Sequence, residues 1–93
     1  MALECSKTLR VVNDQGLHAR PCHSIVSASL GYQSEVRIRC GGREVNGKSI
    51  LELMTLSAVL GTELDVQVRG QDAEELMAKL EQLFAGGFGE ESA

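Results

Sequence analysis

His18 and Arg20 stand on either side of Ala19 in the segment Gly16-Leu17-His18-Ala19-Arg20-Pro21. A glycine loop here leads into a helix, and Pro21 suits a first turn where its missing N–H is not needed. His18 then falls at the N-cap, beside the unpaired N–H groups of that turn and the positive end of the helix dipole. Arg20 brings a fixed guanidinium within a residue or two. Such positive neighbours disfavour imidazolium, which keeps His18 a neutral nucleophile. The same groups would hold a phosphoryl group once it had been transferred, because a helix N-terminus attracts anions. A histidine that merely caps a helix is the plainer alternative. Residue chemistry alone leaves the two in balance.

Two other places invite chemistry. Gly42 to Ser49 satisfies the P-loop pattern G-x4-G-K-S letter for letter. A P-loop, however, follows a buried parallel strand in a larger α/β domain with a later magnesium-binding Asp; here the segment is bracketed by half-exposed strands. Ser49 is better read as the cap of a second helix, where a phosphate on its hydroxyl would be accommodated as a modification switch. His18, Cys22 and His23 could suggest a metal, but His23 lies roughly 140° around the helix from His18 at 3.6 residues per turn. Cys22 reads as a small core residue and His23 as a surface one. No metal and no cofactor are expected.

The whole chain, 1–93, reads as one small domain with a thin core. Net charge is −4, unevenly spread: residues 1–46 hold six Lys/Arg against four acids, and residues 47–93 three against nine. An acidic chain without Trp and with only three aromatics does not fit nucleic-acid binding, which needs clustered Lys/Arg. Its apolar runs are too short to span a bilayer, and residues 1–7 carry no apolar targeting stretch. A cytoplasmic protein is expected. Cys5, Cys22 and Cys40 include no CxxC pair, which leaves free thiols as the expectation.

The elements that must position these residues follow from periodicity. Alternation predicts strands at Thr8 to Val12, around Val36, Ile38 and Cys40, at Arg43 to Asn46 after a Gly41-Gly42 turn, and around Leu64, Val66 and Val68. Cys22, Ile25, Val26, Ser29 and Leu30 make one helical stripe that Gly31 ends as a C′ residue. A second helix is expected from Ser49 to near Gly61, with Ile50, Leu53, Met54 and Ser57 inward. A third starts with an Asp72–Glu75 capping pair, carries Ala73, Leu76, Met77, Leu80, Leu83 and Phe84, and stops at Gly86-Gly87 before a Gly/Glu-rich tail. Each strand has one apolar face. The order β-α-β-β-α-β-α therefore predicts an α+β two-layer sandwich with a mostly antiparallel sheet covered by helices on one face.

With both motifs in register on that pattern, the chain resembles the HPr family, the small histidine phosphocarriers of the phosphoenolpyruvate-dependent phosphotransferase system. The likeness spans about residues 7 to 88. It implies an open-faced sandwich of a four-stranded antiparallel sheet under three helices. It further implies that His18 accepts the phosphoryl group through Nδ1, that Arg20 steadies it, and that it arrives from phosphorylated enzyme I and leaves to an enzyme IIA-type protein. Ser49 matches a position that a serine kinase/phosphorylase modifies in many relatives. Pro21, His23, Lys48, Ile50, Leu51 and Met54 would form the docking surface of a monomer that is a carrier rather than an independent enzyme. Gln15 and Cys22 depart from the commonest pattern, the latter adding a thiol that could block transfer by oxidation if exposed. The ending Leu83 to Glu91 is similar to the nitrogen-related branch, whereas Gly47-Lys48-Ser49-Ile50 is the version associated with serine phosphorylation, so the branch stays open. A regulatory module acting through Ser49, with little or no relay, is the competing expectation.

Overall fold

A computed structural model describes residues 3–90; residues 1–2, and residues 91–93 of the expected Gly/Glu-rich tail, lie outside the described residues. Strands β1 (Leu3–Arg10), β2 (Glu35–Cys40), β3 (Arg43–Asn46) and β4 (Glu63–Gly70) pair antiparallel throughout, in the order β1-β4-β2-β3. Alternation decides which face is covered. Val36, Ile38, Val45, Leu64, Val66 and Val68 are buried, while Arg37, Arg39, Asp65 and Gln67 between them are exposed. The open face is laced by cross-strand polar pairs: Thr8 Oγ1 donates to Asp65 at 2.9 Å and Arg39 pairs with Glu44 at 3.2 Å.

Helices α1 (Ala19–Leu30), α2 (Ile50–Met54) and α3 (Ala73–Ala85) supply the other layer. α3 lies along β1 and β4, and α1 packs on both α2 and α3. Cys22, Ile25, Leu53, Leu76 and Leu80 are completely buried between the layers. At about 1.5–3 kcal/mol per fully buried aliphatic side chain, this one core accounts for the helices' attachment to the sheet. The fold is the open-faced α+β sandwich expected from the sequence. The Gly41-Gly42 turn is also as expected. Cys40 pairs with Arg43 and both glycines have positive φ, 54° and 87°, the two-residue hairpin loop that matches strand twist.

Four expectations are corrected. β1 spans Leu3–Arg10 rather than Thr8 to Val12, because β4 offers it eight partners; Val11 instead bonds to the loop before β4, its N–H donating to Thr62 O at 2.9 Å. α2 stops at Met54. The Thr55 hydroxyl caps Glu52 O at 2.6 Å and Ser57 turns to a left-handed φ of 50°, so Met54 and Ser57 are exposed. Gly31 closes α1 with a right-handed φ of −76°, not as a left-handed C′ residue. Asp72 occupies the N-cap of α3 without capping it. Its carboxylate accepts from the N–H groups of Gln33 and Ser34, both at 2.9 Å, and from the Ser34 hydroxyl, tying the α1–β2 loop to α3.

Candidate functional site

The loop before α1 is shaped from both sides. Asn13 is buried and its Nδ2 donates to Gly16 O at 2.8 Å. Gly16 has a φ of 72°, and a Cβ there would stand 2.3 Å from Ala58 O, so only glycine fits. Leu17 N donates to the same Ala58 O at 2.9 Å, fastening this loop to the one after α2. These contacts present His18 as the extended N-cap of α1, with φ −88° and ψ −166°, and its carbonyl accepts from Cys22 N at 3.2 Å. Asn13 and Gly16, rather than Gln15, thus supply the contacts that shape this loop.

The imidazole does not cap the helix. It is turned toward the end of the chain, with Nε2 2.7 Å from Glu90 Oε2. Glu90 is reached because the chain does not leave as a loose tail at Gly86-Gly87. A 3-10 turn, Gly87–Gly89, folds it back, and Phe88 packs edge-on against Phe84 with ring centroids 4.9 Å apart. Asn13 Nδ2 holds the other carboxylate oxygen, Oε1, at 2.9 Å. The sequence reading surrounded His18 with positive charge alone. The structure corrects that by bringing a carboxylate from the acidic half of the chain onto the ring. The only sequence signal was Phe88, an aromatic flanked by glycines that had to find cover.

Starting at Ala19, the residue after His18, a cleft of about 340 Å³ open to solvent is lined by Ala19, Arg20, His23, Ser24 and Phe88. Ala19 and Arg20 contribute first-turn N–H groups without helical acceptors. Cys22 is fully buried, its Sγ 3.7 Å from Leu17 O, and burial pushes its thiol pKa upward. Cys22 is therefore not the exposed thiol that oxidative blocking needs, and His23 is exposed, with Nδ1 3.4 Å from Ser27 Oγ.

The remaining predicted residues divide. Ser49 is the N-cap of α2, and its Oγ accepts from Glu52 N at 3.2 Å. Ile50 is half-buried, and Leu51 and Met54 are exposed at 80% and 43%. Pro21 is buried, packed in the first turn of α1, and so offers no docking surface. Lys48 is directed elsewhere. Its Nζ donates to Tyr32 O at 2.8 Å, beyond the C-terminal end of α1 and a helix length from His18.

A family described as PTS HPr component phosphorylation site matches residues 5–86. The chain belongs to the HPr family. Phosphocarrier protein HPr of Treponema pallidum is 39% identical over 85 residues, covering 91% of this chain and 97% of that one. Phosphocarrier protein HPr of Xylella fastidiosa (strain Temecula1) is 39% identical over 84 residues, covering 90% and 94%. The crystal structure of HPr-C-His from Thermoanaerobacter tengcongensis superposes with a TM-score of 0.89 at 32% identity, covering 94% of this chain and 98% of that one. As an HPr the protein is a phosphocarrier of the phosphotransferase system and not a catalytic enzyme.

Proposed function

We propose that His18 is the carrier residue, taking a phosphoryl group from phosphorylated enzyme I and giving it to an enzyme IIA-type protein. The observation that carries this is the imidazole's placement at the start of α1 without any capping bond, one residue before a cleft lined by Ala19 and Arg20. A side chain needed only for capping would point back at the first-turn N–H groups. Here those groups are left for an incoming anion, and Arg20 is exposed where it can pair with one.

Docking falls to the exposed apolar side chains of α2, Leu51 and Met54, with Ile50 at their edge and His23 on the first helix. A relay that swaps partners on one face works as a cytoplasmic monomer in transient complexes. Among the described residues no helix is long and apolar enough to cross a membrane. A serine kinase/phosphorylase acting on Ser49 would place negative charge beside that face and weaken docking of an acidic partner.

The test is phosphoryl transfer from phosphoenolpyruvate through purified enzyme I, read by intact mass on the parent and His18→Ala. Gain of one acid-labile phosphate by the parent alone is the expected result. No gain with a competent donor from the same organism would sink the relay and shift the function to regulation through Ser49.

A further inference from the structure

We infer that Glu90 is a positioning residue for His18, fixing the imidazole in the tautomer that leaves Nδ1 free to take the phosphoryl group. The inference rests on the reading of His18 as acceptor. An ionised carboxylate only accepts hydrogen bonds. With Glu90 Oε2 at 2.7 Å, Nε2 must therefore carry the hydrogen. A neutral imidazole has one N–H, so the lone pair is on Nδ1.

The carboxylate is itself held. Its side chain is 15% exposed, and Oε1 accepts from Asn13 Nδ2 at 2.9 Å. Asn13 is 1% exposed and donates through the same nitrogen to Gly16 O. Both neighbours of that amide nitrogen are acceptors, which orients the amide. From the other side, Glu90 N donates to Gly87 O at 3.0 Å, and the Phe84–Phe88 contact pins the turn that carries it. One buried amide thus sets both the loop that presents His18 and the carboxylate that orients its ring.

During transfer the Nδ1 lone pair forms the N–P bond. The bond from phosphorus to the donor breaks, its electron pair staying on the donor. The hydrogen stays on Nε2, and the ring gains positive charge that the Glu90 carboxylate offsets at 2.7 Å. Such a partner supports the transition state more than the resting ring.

Glu90→Gln keeps an oxygen for Asn13 and is nearly isosteric, but its amide can donate as well as accept. Long-range proton–nitrogen NMR on histidine-labelled parent and variant, paired with single-turnover transfer from phosphorylated enzyme I, tests the idea. The parent is expected as the Nε2–H tautomer. Glu90→Gln is expected to give a mixture and to slow acceptance about tenfold, with an unchanged urea midpoint, and Glu90→Asp to recover part of both. A parent holding its hydrogen on Nδ1, or a Glu90→Gln variant with unaltered tautomer and rate, overturns the assignment. A parent that shows the tautomer but takes no phosphate overturns the acceptor reading instead and reduces Glu90 to a structural clasp.

Discussion

Asn13 and Glu90, 77 positions apart, are joined by a 2.9 Å hydrogen bond from Nδ2 to Oε1. The same amide nitrogen braces Gly16 O, so one side chain couples the loop before α1 to the end of the chain. Asn13→Ala removes both bonds, leaving Gly16 O with only the His18 N–H at 3.0 Å and Glu90 Oε1 without its amide donor, and is expected to cost about 1–3 kcal/mol. Asn13→Asp is expected to cost more, because it sets a second carboxylate against Glu90 and against a carbonyl. Urea denaturation of the two variants decides this, and an aspartate variant as stable as the alanine one would show that the amide is no clasp.

Gly16→Ala combines a disfavoured φ of 72° with a Cβ driven onto Ala58 O. Gly41→Ala shares the left-handed φ, at 54°, but meets nothing within 4 Å. The first is expected to lose about 2–4 kcal/mol and the second about 1. In thermal melts Gly16→Ala should fall by about 10 °C or more, the other by roughly half that or less. Equal losses would mean that close approach to Ala58 is unimportant.

Acid should act on Asp72. The Ser34 hydroxyl first, and then the Gln33 N–H, hold its carboxyl pKa below the ordinary value. A group depressed in the folded state stabilises above its unfolded pKa, about 3.9, and loses that contribution as pH falls through the folded value. Asp72→Asn is therefore expected to be less stable than the parent at neutral pH, with the two converging on acidification below about pH 4. Urea midpoints measured across that range would show it. A gap that does not change with pH rules the carboxylate's charge out as the cause.

Ser49→Ala removes the cap on Glu52 N and is expected to destabilise by about 1 kcal/mol. Ser49→Asp keeps an acceptor at that position, so its stability should match the parent within a few tenths of a kcal/mol. It nonetheless adds the charge expected to weaken docking. Slower transfer from enzyme I in this well-folded variant would place the effect in recognition; transfer at the parent's rate would remove Ser49 from it.

What could be read in the sequence was local. Val36, Ile38, Leu64, Val66 and Val68 alternate strictly, and Gly41-Gly42 allows one kind of turn, so sheet and hairpin were legible. His18 before a first-turn proline was legible for the same reason. Side chains that act across distance were not. Asp72 looks like a cap because Glu75 follows it, yet Ser34 and Gln33 claim its carboxylate. Lys48 looks like a docking cation until it meets Tyr32 O. Glu90 lies in a stretch of glycine and glutamate with no periodicity, and only the packing of Phe88 on Phe84 brings it to His18. Helix α2 read too long because Ser57 falls on the helical stripe of Ile50, Leu53 and Met54 and Gly61 offers a stop, whereas in the fold Ser57 turns left-handed.

The strand order has a consequence for how the chain reaches this state. β4, the last strand made, fills the gap between β1 and β2, and β1 has no other neighbour in the sheet. Until residues 63–70 emerge, the first strand has nothing to pair with, and the closing contacts span more than half the chain. Local pieces such as the β2–β3 hairpin can form early, but the site cannot, since its loop also leans on Ala58 and Thr62 and its carboxylate comes from position 90. Non-local closure of this kind is slow relative to helix formation and tends to be all-or-none. A ribosome-bound or truncated chain ending before β4 would therefore carry His18 and Arg20 without the loop contacts and the carboxylate that position the ring.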